Sequence, residues 1–289
     1  MTSRRTLLTG ALGIAAVGTV GLPALEANAF TIDPNTCARV QRALAGMWWG
    51  LEYTRSDLDA EYGPRTAMAT RVFQAYHGLT IDGKPGPLTQ AKLFDRAKVV
   101  QQVAGVSKRD GNYNQATLAA VTAWQQSKGL TADGIAGPGT MSKAGIDRQF
   151  SGSSVGGNIT RAEVIARAGF WVLLDPAYSR TGPWFSDPHG KTYRRDCSGY
   201  VSMCLHASKA HSTHTMHEIS YEIDKSALRP GDILNQSAYH VTLFDGWTSS
   251  ARTHYDGFDT RGDYGLEARE IPYDYPGDFL HPRRYHNIV

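Results

Sequence analysis

Few cysteines, little net charge and no long hydrophobic run in its body mark this 289-residue chain. It has three cysteines, a formal net charge of +3 and 20% charged residues. So few cysteines exclude a disulfide scaffold, and 41% hydrophobic residues exclude a disordered chain. The small charge excess gives no argument for nucleic acid. Beyond Leu25 no apolar stretch approaches the roughly 20 residues that a membrane span needs. What is left is a soluble globular chain, long enough for two or three domains at ~100–200 residues each.

The first 29 residues read as an export signal. Ser3-Arg4-Arg5-Thr6-Leu7-Leu8 pairs two arginines ahead of a Gly- and Ala-rich apolar stretch, and Ala27-Asn28-Ala29 has the small-x-small pattern of a peptidase cut. The twin arginine resembles the bacterial Tat signal, which exports folded proteins. Glycines and Pro23 interrupt the apolar stretch, which argues against a membrane anchor. The expectation is a secreted, wall-associated protein with no membrane contact after cleavage.

An internal repeat organises the next 120 residues. Phe73-Gln74 returns as Trp124-Gln125, Gly78-Leu79-Thr80 as Gly129-Leu130-Thr131, and Asp82-Gly83 as Asp133-Gly134. Gly86-Pro87 and Thr89 return as Gly137-Pro138 and Thr140; upstream, Asp59, Tyr62 and Thr66 match Asp110, Tyr113 and Thr117. Every pair is 51 residues apart. Val72, Phe73 and Tyr76 have helical spacing, and Asp-Gly followed by Gly-Pro is turn chemistry with proline where a helix begins. Two all-α three-helix domains are expected, at 37–95 and 98–148. The pattern F/W-Q-x3-G-L-T-x-D-G-x2-G-P-x-T resembles the small peptidoglycan-binding domain of bacterial wall hydrolases, which implies peptidoglycan as the partner. Trp48, Trp49 and Tyr53 are either wall-facing aromatics or core. Residues 30–150 carry 14 Lys and Arg against 10 Asp and Glu, and residues 151–289 carry 14 against 16. A basic module suits an anionic wall.

Residues 151–158, Ser-Gly-Ser-Ser-Val-Gly-Gly-Asn, read as a flexible linker. They contain G-x-S-x-G, but a nucleophile elbow needs a preceding strand, which this tract does not supply. Composition then shifts: nine of ten histidines and ten of fourteen tyrosines lie beyond residue 150. Thr160-Arg161-Ala162-Glu163 is a capping box that opens a helix with Ile165, Ala168 and Val172 on one face. Asp196 is a good N-cap, which puts Cys197 in the first turn of a helix where backbone N–H groups and the dipole stabilise an anion. Val201, Cys204 and Leu205 share the buried face, so Cys204, like Cys37, reads as a small hydrophobe. Tyr239-His240-Val241-Thr242-Leu243-Phe244 alternates as a half-buried strand, and a second strand from Ala251 to Phe258 carries His254.

Asp196-Cys197-Ser198-Gly199-Tyr200-Val201, then Leu228-Arg229-Pro230-Gly231-Asp232, then His240-Val241 together resemble the NlpC-type papain-like cysteine peptidases of the bacterial wall. The resemblance covers 159–289 and implies an α+β papain-like domain with an antiparallel sheet. It makes Cys197 the nucleophile and His240 its base, with Tyr178 polarising the scissile carbonyl. A third polar residue on the next strand orients the histidine; His254 is the expected one and Asp259 its rival. The implied reaction is hydrolysis of a stem-peptide amide, foremost between D-glutamate and the diamino acid. The alternatives are an N-acetylmuramoyl-L-alanine amidase and a non-catalytic wall-binding protein. Neither cofactor nor metal is expected: His206, His211, His214 and His217 have no zinc spacing and read as a solvated loop. Thr242 stands where the family often has glycine, and Ser179-Arg180-Thr181-Gly182 replaces its Trp-Gly-Gly. A monomer is expected.

Overall fold

The computed structural model describes residues 30–53, 56–147, 152–263, 265–274 and 281–289. The expected export signal and the first residue of the expected linker therefore lie outside the described residues. Among the described residues, no helix is long and apolar enough to cross a membrane.

Five helices come first: α1 (Pro34–Gly46), α2 (Pro64–Tyr76), α3 (Pro87–Val103), α4 (Gln115–Ser127) and α5 (Pro138–Lys143). One turn design joins each to the next. A buried glutamine near the end of one helix sends its amide to an aspartate carboxylate, to a carbonyl two residues on, and to a threonine in the next helix's first turn. Gln74 does this with Asp82, Lys84 and Thr89 at 2.8, 3.1 and 3.2 Å, and Gln125 with Asp133, Ile135 and Thr140 at 2.9, 3.0 and 3.0 Å. Gln41 with Asp59, Glu61 and Thr66, and Gln101 with Asp110, Asn112 and Thr117, repeat the pattern. Each glutamine carbonyl accepts the N–H of the residue after the aspartate, so both ends of the amide are bonded.

Helix α3 receives the second turn through Thr89 and organises the third through Gln101. The two expected three-helix domains therefore share a helix, and among the described residues five helices stand where six were expected. Trp49 is core, packed on Phe73, Tyr76 and His77, and the Tyr53 hydroxyl donates to the Tyr113 carbonyl at 2.6 Å. Trp48 is half-buried.

The second part is α+β: α6 (Arg161–Leu174), a hairpin of β1 (Phe185–Ser186) and β2 (Thr192–Tyr193), and α7 (Cys197–Cys204) precede a sheet. Its strands are β3 (Ser220–Glu222), β4 (Ile233–Gln236), β5 (His240–Trp247), β6 (His254–Arg261), β7 (Gly265–Pro272) and β8 (His281–Tyr285). They pair antiparallel throughout in the order β3-β8-β4-β5-β6-β7.

The two parts share one hydrophobic core. Helix α2 lies against α6 so closely that a Cβ on Gly169 would collide with the Met68 sulfur. Arg167 of α6 is fully buried; it donates to the Tyr76 hydroxyl of α2 at 2.6 Å, the Met203 carbonyl of α7 at 2.8 Å and the Asp187 carboxylate at 2.8 Å. The Gly/Ser stretch before α6 is fastened rather than free. Ser153 donates its N–H and hydroxyl to the Glu163 carboxylate at 3.0 and 2.6 Å, and Gly156 bonds His206 and Asn287. Glu163 is thus diverted from the expected capping box, of which only the bond from its N–H to Thr160 Oγ1 forms. His206 and His211 are buried, not solvated: this same stretch bonds His206, and His211 is held by Ser202 and Arg194.

Ala60 takes φ 65° where the other three turns have Gly83, Gly111 and Gly134, each at φ 75°. An L-residue in this region costs ~1–2 kcal/mol, and glycine gives back ~0.5–1 kcal/mol in unfolded-state entropy. Ala60→Gly is therefore expected to raise the melting temperature by ~1–3 °C, and a fall would refute the account. Arg167→Met strands the buried Asp187 carboxylate and is expected to cost ~3–5 kcal/mol in denaturant unfolding.

Candidate active site

Helix α7 starts where a polar loop meets the sheet. Asp196 caps it by accepting the Gly199 N–H at 2.7 Å, and Arg194 steadies the second carboxylate oxygen at 3.0 Å. Gly199 is required here, since a Cβ would strike the Arg194 carbonyl. Cys197 follows in the first turn, while Val201, Cys204 and Leu205 fill the core beneath it. Helix α7 packs on β5 and β6, which carries Cys197 to the start of β5.

His240 is the first residue of β5. Its ring is buried beside Cys197, and its Nε2 lies 2.6 Å from Asp259 Oδ1. Asp259 is fully buried on β6, and its Oδ2 accepts from Arg269 of β7 at 2.8 Å. Burial alone would lower the imidazole's affinity for a proton. The Asp259 hydrogen bond and the contact with Cys197 overcome it, and the pKa is pushed up to about 9. Cys37 and Cys204 contrast with this setting. Burial pushes the Cys37 thiol up to about 11 and Cys204 higher still, so both stay protonated.

His254, the expected orienting residue, is not near His240. In an antiparallel hairpin the start of one strand meets the end of the next. Leu243 pairs with Phe258 and Phe244 with Gly257, so Thr242 faces Asp259 and His240 is its neighbour on the same face. His254 begins β6 at the far end, roughly 17 Å along the strand from Asp259 at ~3.3 Å per residue. Its Nδ1 lies 3.1 Å from Thr253 Oγ1. The strand expected from Ala251 to Phe258 runs instead from His254 to Arg261, which moves Asp259 inside it.

Tyr178 lies on the segment that pairs with the residues just before α7. The Ser179 N–H donates to the Arg195 carbonyl at 3.1 Å, and Arg195 reaches back to the Gly182 carbonyl at 3.4 Å. The Tyr178 ring faces Gly262, and its hydroxyl accepts from Arg180 Nε at 3.1 Å. The Arg180 guanidinium is held above its usual value chiefly by that hydroxyl, with Cys197 and Asp196 contributing. Sequence reasoning missed Arg180 and Arg269. Arg269 was findable only from the β6–β7 register, in which it faces Gly257, diagonal to Asp259. Among the described residues, no group of three His, Cys, Asp or Glu stands where it could hold a metal ion.

Residues 38–93 and 102–143 match the family described as "Putative peptidoglycan binding domain". The break between the two matches falls inside α3, the shared helix. The helical half therefore carries two segments similar to that domain, and peptidoglycan is the partner that this match supports. No curated protein and no solved structure matches the chain.

Asp259→Asn keeps the shape and removes the charge beside His240. Wild-type His240, raised above ~6.5 in the unfolded chain, should titrate near pH 9 by imidazole NMR. Its contribution to stability is fully present below ~6.5 and is lost as pH rises through about 9. The variant's midpoint should fall by at least ~1 unit, or ~1.4 kcal/mol; an unchanged midpoint would show that Asp259 does not set it.

Proposed function

We propose that the C-terminal part is a papain-like, NlpC-type thiol hydrolase that cuts an amide of the peptidoglycan stem peptide, delivered to the wall by the helical half. The observation that carries this reading is Cys197 in the first turn of a helix, beside a buried His240 whose Nε2 is hydrogen-bonded to Asp259. A thiol at a helix N-terminus beside a high-affinity imidazole transfers its proton and becomes the nucleophile.

In the proposed reaction the Cys197 thiolate attacks the amide carbonyl carbon. Backbone N–H groups of the first turn of α7, with the Tyr178 hydroxyl, stabilise the oxyanion. The His240 imidazolium then protonates the amine as the C–N bond breaks, leaving an acyl thioester and neutral imidazole. Water gives a proton to His240, attacks the thioester and releases the carboxylic acid, which ionises in solvent, and the Cys197 thiolate, with the imidazolium restored. Asp259 keeps the ring oriented and its positive charge matched throughout. By resemblance, the bond is the D-glutamyl to diamino acid amide, and the muramoyl-L-alanine amide is the second choice. Arg4 and Arg5 support export through the twin-arginine route, which would deliver the folded chain to its wall.

Purified peptidoglycan digested with the full chain should yield new muropeptides whose termini name the bond by mass spectrometry. Cys197→Ala should lose on the order of 10⁴-fold or more. Equal muropeptide profiles from the two proteins would overturn the enzyme and leave a wall-binding protein.

A further inference from the structure

Each of the five N-terminal helices ends in the same way. The second residue past its last turn adopts a left-handed conformation, and the next N–H reaches back to close the helix end. Gly78, Gly105, Gly129 and Gly145 fill that position with φ between 63° and 73°. After α1 the residue is Trp48, at φ 59°. The closing bonds still form, from Trp48 N–H to the Ala45 carbonyl at 3.0 Å and from Trp49 N–H to the Leu44 carbonyl at 2.8 Å. A bulky residue held here is strained, and such strain persists only where the surrounding packing holds it in place.

One edge of the Trp48 ring is spoken for. It packs on Phe170 at 5.0 Å and Phe185 at 6.3 Å, both from the C-terminal part. The rest of the half-buried ring walls a cavity of about 360 Å³, completed by the turn into α5. Leu130, Ile135 and Pro138 supply the other apolar surface, and Thr131 and Asp133 supply polar groups. The size falls within the ~300–1,000 Å³ range of small-molecule sites. The Ala136 N–H bonds the Gly46 carbonyl at 2.8 Å, and Gly190 of the β1–β2 hairpin abuts Pro138, so both parts of the chain meet around this cavity.

We infer that this cavity is a saccharide site that holds the N-acetylated glycan strand of the wall rather than its stem peptide. The indole offers a flat apolar face to a pyranose C–H face, and the hydroxyl and carboxylate groups suit sugar hydroxyls. Among the described residues Asp133 is the only charged side chain in the lining, and it would repel the carboxylates of a stem peptide. The inference does not depend on the thiol chemistry. It adds a function for Trp48 and makes the junction of the two parts, rather than the helical half alone, the glycan holder.

The fold supplies the test. A Cβ on Gly139, another lining residue, meets nothing within 4 Å, and the residue 51 earlier is Leu88, 79% exposed. Gly139→Leu therefore copies a side chain that the other unit already carries, and it narrows the cavity. The full chain bearing Cys197→Ala is titrated by calorimetry with a β-1,4-linked N-acetylglucosamine pentamer, and separately with a free stem tripeptide. The pentamer should bind, Gly139→Leu should weaken it at least tenfold, and Leu88→Gly should leave it unchanged. Thr131→Arg, on an exposed rim residue, is a second block and should weaken binding similarly. Unchanged affinity in both blocked proteins, or displacement of the pentamer by the tripeptide, would overturn the assignment. Wall cleavage by the wild type without pentamer binding would likewise refute the site while leaving the hydrolase intact. Pentamer binding without cleavage would refute only the hydrolase.

Discussion

The buried Arg167 guanidinium is the tie on which the arrangement of the whole chain depends. Its three bonds run to α2, α7 and the hairpin that precedes α7. A charge with no access to water must find partners inside, and each partner here lies on a different element. The Asp187 carboxylate that answers it also accepts the His189 and Lys191 N–H groups at 2.9 Å each, which shapes the β1–β2 turn. Two residues after β2 and its Tyr193 the chain has reached Arg195, and then the Asp196 cap and Cys197. The position of the thiol is therefore coupled to the docking of the helical half by a short, fully bonded path.

Much of the helical half is legible in the sequence, because its turns use residues with narrow roles. Asp, Gly, Pro and Thr at fixed offsets announce a turn and the helix after it, and the 51-residue spacing follows from them. The fourfold recurrence of the turn was legible too, in Asp59, Asp82, Asp110 and Asp133 with Thr66, Thr89, Thr117 and Thr140 seven residues after each. What hid it was Ala60 in a glycine position and a longer loop after α1. The sharing of α3 was not legible, since periodicity alone does not say whether a helix belongs to the unit before it or the unit after it.

The C-terminal part divides differently. Helix α7, its cap and the strand at His240 follow from local chemistry, so their positions could be read directly. The partner of His240 could not, because it depends on the lengths of β5 and β6 and on the shifted register between Phe244 and Gly246. A few residues of strand length decide whether His254 or Asp259 faces the imidazole. The tract 152–158 misled for a related reason. Its Gly/Ser composition describes what a free chain would do, and buried acceptors on Glu163 and His206 capture it.

The shared helix α3 has a consequence for how such a chain can lengthen. A unit that ends on the helix with which the next begins has no seam at which it can be cut out whole. Growth must proceed like a spiral stair, each step adding 51 residues and using the last helix as its landing. Helix α5, six residues against the seventeen of α3, is such a landing left short. Extended to full length and given a glutamine near its end, it could receive another turn without disturbing anything below it.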